Sequence, residues 1–285
     1  ITILFSPFFT NVIEISLFAL CLSSQNIRHR LLEIKKQPLA LGVAAFILML
    51  LIGCFYSVAD TKETLSSLWS WRKILLLPIA LSLFDENVWK DRFLSFVIGF
   101  IFICALLSIV SYIFQFGIYR FDPGIVIRNY ATQGMVFAVA IFTIAMRFIH
   151  RKIIDWKKEW FNIFKIIVFL GALIYMTPGR SGYLALIVLT IYFIYQLIKL
   201  KKNYLVALFV CFLIPVLFLN SSMVTNRVQL GMHEIKNVDQ TGGRETSMGL
   251  RLTAWKNAIE LIKERPILGV GTGGYETAFV EHIKN

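Results

Sequence analysis

Two apolar runs and a short polar break between them occupy residues 166–189, which read IIVFLGALIYMTPGRSGYLALIVL. Arg180 lies in the break, which extends from Thr177 to Gly182. A guanidinium stays charged at physiological pH and needs water or an anionic partner. Its position between two runs that have the character of membrane spans therefore indicates a functional residue.

The composition of the chain is that of an integral membrane protein. Of its 285 residues, 57% are apolar and only 16% are charged, and the mean hydropathy is +0.70. Soluble domains of this size carry more charge and less apolar surface. The sequence therefore excludes a soluble domain and predicts an all-α fold, namely a polytopic transmembrane helix bundle.

A helix needs about 20 mostly apolar residues to cross the hydrocarbon core of a membrane. We predict eight such spans, at residues 3–24, 38–58, 65–84, 93–116, 132–149, 161–177, 181–198 and 203–220. The chain becomes polar after Asn220. We therefore expect a transmembrane helical bundle over residues 1–220 and a mostly helical loop domain over residues 221–285, which is incomplete because no closing span follows it.

Basic residues concentrate in alternate connections between the expected spans. These connections are residues 25–37, 85–92, 147–160 and 199–202. The positive-inside rule makes them cytoplasmic, so the break at Arg180 and the loop domain face outward. Contacts with anionic membrane lipids explain most of the net charge of +12 without a nucleic-acid partner.

Several arginines then fall on or near the outward side. Arg128 lies in an outward connection, and Arg72 precedes Lys73 about eight residues inside the third expected span. Two interpretations of Arg72 stay open. Its long side chain reaches the outer interface by snorkelling, or it lines a water-filled cavity that opens outward.

The loop domain contains an amphipathic helix. From about Met248 to Lys263, apolar residues recur at helical spacing, and Pro266 marks the end. Arg251 falls in the expected first turn, where a cation opposes the helix dipole. A phosphate oxyanion bound at that helix end would explain its position, whereas a structural role would have its stem cover apolar surface.

The segment Gly269-Val-Gly-Thr-Gly-Gly274 formally matches a dinucleotide-binding loop. That function requires a preceding strand, a following helix and a later acidic residue, and none of these is present. The glycines instead predict a tight turn that a polar group approaches closely. The spacing of the cysteines and histidines indicates neither a metal site nor a nucleophile with its base.

Together these features resemble the O-antigen ligase family. The resemblance rests on the Thr-x-x-Arg-Ser-Gly break at 177–182, the motif Leu250-Arg-Leu-x-x-Trp255, and Pro266-x-x-Gly-x-Gly-x-Gly-Gly-Tyr275. It implies metal-independent glycosyl transfer without a cofactor on the periplasmic face of the bacterial inner membrane. The implied donor is a glycan linked to undecaprenyl pyrophosphate, and the implied acceptor is the sugar of a lipid A core.

Carried over by motif position, Arg180 and Arg251 would bind the donor pyrophosphate. Arg72 and Arg128 are weaker additions that come from the topology. The catalytic histidine of the family lies beyond the glycine turn and outside this chain, so the catalytic residue stays unknown, and we expect the polypeptide as printed to be inactive alone. His282 does not lie in the family's histidine motif.

Three other functions fit the same pattern. An O-antigen polymerase uses the same donor but a second lipid-linked glycan as its acceptor, and a protein O-oligosaccharyltransferase belongs to the same superfamily. A transporter or flippase for anionic lipid-linked glycans is the alternative of another class, and it predicts charges deep in several spans.

Overall fold

The computed structural model describes residues 7–23, 25, 29, 33, 37–83, 87–117, 122–150, 156–200, 213–236 and 247–284. Regular structure in these residues is helical, apart from one isolated bridge between Gly117 and Pro123. The α-helices include α1 (Pro7–Ser23), α2 (Pro38–Phe55), α3 (Thr61–Trp71), α4 (Leu76–Leu83), α5 (Asn87–Ile113), α6 (Tyr130–His150), α7 (Trp156–Tyr175), α8 (Arg180–Lys199), α9 (Ser222–Lys236), α10 (Ser247–Glu264) and α11 (Tyr275–Lys284), and residues 213–219 are helical as well.

Among the described residues, four helices are long and apolar enough to cross a membrane. They are Pro38–Phe55, Lys90–Ile113, Tyr130–His150 and Arg180–Lys199. Large apolar side chains such as Leu48, Ile103, Val139 and Ile191 are exposed on these helices, as contact with lipid requires. The prediction of a helical, multi-pass membrane protein is therefore confirmed in this coarser form.

The other four expected spans are not confirmed. Helix α1 has 17 residues, and α7 carries charged residues at 157–159 and 165. Of the span expected at 203–220, residues 203–212 lie outside the described residues. The length and composition of the described helices therefore support fewer spans than the sequence predicts.

The span expected at 65–84 is not one regular α-helix. A 3-10 stretch, Arg72–Leu75, separates α3 from α4. Pro78 follows it and has no amide hydrogen to donate to the carbonyl four residues earlier, at Ile74. This proline explains why the helix tightens where Arg72 lies, and it is a signal in the sequence against one regular span at 65–84.

The chain divides into two compact units. The first comprises Ile1–Pro7 and Asp91–Met232, and the second comprises Phe8–Lys90 and His233–Asn285. In the first, α6 packs against both α7 and α8, and Phe137, Phe169 and Leu173 are fully buried in the core. The domain boundary at residue 220 that the sequence predicts stays a prediction.

In the second unit, two helical hairpins carry the residues of interest. Helices α2 and α3 are joined by residues 56–60, and the Asp60 carboxylate caps α3 by accepting a hydrogen bond of 2.7 Å from the amide of Glu63. Helices α10 and α11 are joined by the glycine turn at 269–274. The Tyr275 hydroxyl donates a 3.0 Å hydrogen bond to the carbonyl of Ala254 and ties these two helices together.

Candidate substrate-binding site

The polar break before α8 is packed tightly against the start of α6. A Cβ atom on Gly179 would lie 2.8 Å from the carbonyl oxygen of Tyr130, and one on Gly182 would lie 2.7 Å from the Cα of Gly134. Small residues allow two membrane helices to approach this closely. The backbone on both sides of Arg180 is therefore fixed by packing that only glycine permits.

Gln133 connects this break to the loop before α6. It is fully buried, and its amide nitrogen donates to the carbonyl of Gly124 at 2.8 Å and to the Thr177 hydroxyl at 3.3 Å. Its amide oxygen accepts from the backbone amides of Val126 at 2.8 Å and Ile127 at 3.0 Å. Sequence reasoning missed Gln133, whose one signal is a polar residue inside an expected span.

Arg180 and Arg128 lie at two neighbouring helix starts. Arg180 is the first residue of α8 and is half-buried, and its N-cap residue Gly179 makes no side-chain capping bond. Arg128 is exposed and directly precedes Asn129, whose side-chain oxygen accepts a 2.8 Å hydrogen bond from the amide of Thr132 in α6. Because Gly179 packs against Tyr130, the N-terminal ends of α6 and α8, which are the positive ends of the two helix dipoles, lie next to each other. Arg128 and Arg180 lie at these two ends.

Arg72 has a carboxylate partner that the sequence analysis did not identify. Its Nε lies 2.8 Å from Oε1 of Glu14, whose side chain is 3% exposed. Its terminal nitrogens donate to the carbonyl of Trp69 at 2.8 Å and to the side-chain oxygen of Asn11 at 3.2 Å. Glu14 neutralises this guanidinium, and an acid inside the apolar run 3–24 was the signal that could have revealed the pair.

A cavity of about 570 Å³ borders Arg72. Except for Ser66, its other lining residues are apolar, among them Ile47, Leu50 and Trp69. The Arg72 guanidinium also lies 4.3 Å from the ring centroid of Trp69, which adds a cation–π contact. Neither sequence-based interpretation of Arg72, snorkelling or a water-filled cavity, includes these partners.

Arg251 is exposed on the helix that the sequence predicts over 248–263. That helix is α10, which begins at Ser247 and ends at Glu264, two residues before Pro266. Arg251 is its fifth residue and lies just beyond the first turn, not within it as expected. The helix dipole therefore explains less of its position than the sequence analysis assumed.

The glycine segment 269–274 forms the tight turn that the sequence predicts. Gly269, Gly271 and Gly273 have φ angles of +66°, +79° and +80°, in the left-handed region that glycine tolerates. A Cβ atom on Gly271 would collide with the Cα of Ser57. The group that approaches the turn closely is thus the chain's own backbone at the end of α2.

Thr272 locks the turn onto that end of α2. Its amide donates to the carbonyl of Gly53 at 3.0 Å, and its hydroxyl donates to the carbonyl of Leu50 at 2.7 Å. The Ser57 hydroxyl donates in turn to the Thr272 carbonyl at 2.9 Å. The bond to Gly53 satisfies one of the last four carbonyls of α2, which have no partner within the helix, and the bond to Leu50 reaches a carbonyl that lies one turn earlier. These bonds fix the turn, and with it the start of α11, to a candidate membrane span.

His282 has two acidic partners that its sequence context does not show. Its Nε2 lies 2.9 Å from a carboxylate oxygen of Glu260, and its Nδ1 lies 3.2 Å from one of Glu264. The hydrogen bond with Glu260, and then the negative charges nearby, raise the pKa of His282 above its usual value. With both ring nitrogens paired to carboxylates, His282 joins α10 to α11.

Among the described residues, no group of three or more His, Cys, Asp or Glu is arranged to hold a metal ion.

Residues 165–285 match the protein-family model described as O-Antigen ligase. The matched range includes Arg180, Arg251 and the glycine turn, whereas Arg72 and Arg128 precede it. No curated protein and no solved structure matches the chain. The match supports the assignment to the O-antigen ligase family that the sequence resemblance indicates, and a membrane glycosyltransferase of the ligase and polymerase type.

Proposed function

We propose that this chain, assigned to the O-antigen ligase family by the match over residues 165–285, takes part in the transfer of a glycan from undecaprenyl pyrophosphate to the sugar of a lipid A core. The reaction takes place at the periplasmic face of the inner membrane and uses neither a metal ion nor a cofactor. The donor, the acceptor, the face and the independence from metal are parts of this proposal.

The observation that carries the proposal is the meeting of two helix starts at Arg180 and Arg128. When the glycosidic bond breaks, the pyrophosphate leaving group gains negative charge. Fixed guanidinium groups and helix N-termini stabilise such charge where it develops, because they need not reorganise during the reaction. The packing of Gly179 on Tyr130 holds the backbone at this position, which supports a preorganised start of α8.

We assign a role in binding the pyrophosphate to Arg180 and, from its motif position alone, to Arg251, with a supporting role for Arg128. Arginine suits this task because its planar fork binds two phosphate oxygens at once, whereas lysine presents a point charge. Arg72 has a weaker part, because Glu14 already neutralises its charge and Trp69 and Asn11 occupy further donors.

The acceptor hydroxyl needs a base to remove its proton during the transfer. His282 is a poor candidate, because the carboxylates of Glu260 and Glu264 both favour its protonated form. Both of its ring nitrogens face these carboxylates, so neither is available to an acceptor hydroxyl. We therefore give His282 a structural part in the hairpin and assign no catalytic base.

The test measures transfer of lipid-linked glycan to lipid A by the full-length protein. Arg180→Ala and Arg251→Ala should each reduce it by about 10²- to 10³-fold, the usual cost of removing one group that stabilises transition-state charge. Arg180→Lys keeps the charge and should recover only part of the rate. Lys62→Ala removes an exposed cation from α3 and serves as the matched control.

Unchanged transfer in both alanine variants would contradict the assignment of the pyrophosphate site. The lipid species that accumulate in a deletion strain identify the reaction. Lipid-linked polymer without polymer on lipid A is the result expected of a ligase. Single lipid-linked repeats would instead establish a polymerase, and a glycan retained on the cytoplasmic face would establish a flippase.

A further inference from the structure

Helix α10 has an apolar stripe that faces away from the protein. Trp255, Ile259 and Ile262 are 64%, 54% and 60% exposed, although each is large and apolar. At 3.6 residues per turn, they lie within a sector of about 60° of the helix surface. The opposite side of the helix holds the contacts with α11, through Ala254, Glu260 and Glu264. A soluble surface rarely leaves such a stripe in water.

The segment after α10 continues this surface at a defined depth. Ile267 and Leu268 are 92% and 64% exposed. The Tyr56 hydroxyl donates a 2.8 Å hydrogen bond to the carbonyl of Leu268, and Tyr56 is the C-cap residue of the candidate span α2. The amide of Val58 bonds the carbonyl of Val270 at 3.1 Å. If the hydrocarbon core ends with the candidate span α2, Ile267 and Leu268 are at the depth of the membrane interface.

Basic side chains of α10 lie beside the apolar stripe and acidic ones lie away from it, which is the arrangement that suits contact with an anionic surface. Arg251 borders the apolar stripe on one side, and Lys256 and Lys263 border it on the other; all three are exposed. The two acids of the second half of the helix, Glu260 and Glu264, lie away from the stripe and are paired with His282. Basic side chains beside an apolar stripe reach phosphate headgroups while their stems stay in contact with lipid.

We propose that α10 lies flat on the membrane that its own spans cross, with Trp255, Ile259 and Ile262 inserted at the boundary between headgroups and acyl chains. The occupant of the apolar stripe is thus the phospholipid surface at the carboxyl end of α2. Tryptophan is enriched at this depth because its ring is apolar and its N–H is polar. The glycine turn supplies the anchor, because it fixes the end of α10 to that span.

This arrangement goes beyond the proposed glycosyl transfer and does not depend on it. The two are compatible in one respect. Arg251 borders the stripe, so a helix lying in the interface carries this guanidinium at the depth of phosphate groups. That is also where the pyrophosphate of a lipid-linked donor would lie. An experiment that locates α10 therefore does not test the proposed glycosyl transfer, which is tested by the transfer assay.

Site-directed spin labelling of the full chain tests the proposal. With the native cysteines replaced by alanine, the variants Trp255→Cys, Ile259→Cys and Ile262→Cys are each labelled with a nitroxide in vesicles of phosphatidylethanolamine and phosphatidylglycerol. Collisions with oxygen, which enters lipid, are compared with collisions with a water-soluble nickel complex. The control is Glu264→Cys, which lies on the opposite side of the helix and leaves the shorter pairing of His282 with Glu260 in place.

The ratio of oxygen to nickel collisions should be severalfold higher at the three stripe positions than at position 264. A higher nickel accessibility at 255 and 259 would place the stripe in water and overturn the proposal. Immobilised labels that neither reagent reaches would show that protein covers the stripe, which also overturns it. Amide exchange at Thr272 verifies in each variant that the turn is still attached to Gly53.

Discussion

Replacing Gly271 by alanine should detach the glycine turn from α2, whereas the same change at Gly269 should not. Both glycines have left-handed φ angles, +79° and +66°. Alanine in that conformation costs about 1–2 kcal/mol, and this cost is common to both positions. The surroundings differ. A Cβ atom on Gly269 meets nothing within 4 Å, but one on Gly271 meets the backbone of Ser57.

The additional cost at Gly271 follows from the bonds that its displacement breaks. The amide and hydroxyl of Thr272 donate to the carbonyls of Gly53 and Leu50. The Ser57 hydroxyl donates to the carbonyl of Thr272, and the Val58 amide donates to the carbonyl of Val270. Each of these four hydrogen bonds contributes about 0.5–1.5 kcal/mol, so their loss costs roughly 2–6 kcal/mol. Together with the backbone strain, Gly271→Ala should cost about 3 kcal/mol or more, against about 1–2 kcal/mol for Gly269→Ala.

Hydrogen exchange of the Thr272 and Val58 amides, in membranes, measures these energies at the two bonded positions. Gly271→Ala should reduce protection by more than about 100-fold, and Gly269→Ala by about 30-fold or less, because 1.4 kcal/mol corresponds to a factor of ten. Equal losses in the two variants would refute the reasoning, since they would show that backbone strain alone, and not the approach of Ser57, governs the turn.

Three further changes test other contacts. Gly182→Ala should separate α6 from α8 and lower the free energy of unfolding, measured by thermal denaturation, by about 1–3 kcal/mol. Gly171 has open space around it, so Gly171→Ala should be nearly neutral. Similar effects of the two changes would contradict the close crossing of α6 and α8. Arg72→Met should cost about 3–5 kcal/mol of unfolding free energy because it leaves the Glu14 carboxylate buried alone, and adding Glu14→Leu should restore most of this loss. The pKa of His282 is raised by its two glutamates, so its contribution to the α10–α11 hairpin should be complete below about pH 6.5 and decline as pH rises through the raised pKa. Protease resistance of the α10–α11 hairpin should fall in the unaltered protein as pH rises through this pKa, and it should not change with pH in the His282→Asn variant.

Features encoded locally were predicted well from the sequence. Apolar length alone gave the span at 38–58, which is helix Pro38–Phe55, and the span at 181–198, which is Arg180–Lys199. Helical spacing and Pro266 likewise gave α10 within one residue at each end. Such patterns are local because a helix forms its hydrogen bonds within its own segment, so a short window of sequence contains the information.

Features that depend on distant residues were missed. Glu14 pairs with Arg72 across 58 positions, and Thr272 bonds Leu50 across 222 positions. No spacing rule connects such residues, although each one is unusual in its own segment. Gln133 is hardest to foresee, because an amide inside a helix is common, and its importance comes from the three segments that it joins.

The arginines proposed to bind pyrophosphate share one physical arrangement. Arg180 follows Gly179, whose backbone rests on Tyr130, and Arg251 belongs to a hairpin that Gly271 fixes to the end of α2. In each case, glycine allows backbone to touch backbone, and this contact positions the segment. Arg72 is the contrast, because its position depends on its own bonds to Glu14, Trp69 and Asn11. A guanidinium that is paired with a buried carboxylate has little charge to offer a ligand. The buried Glu14 carboxylate therefore sets Arg72 apart as a structural arginine, which its sequence position alone does not do.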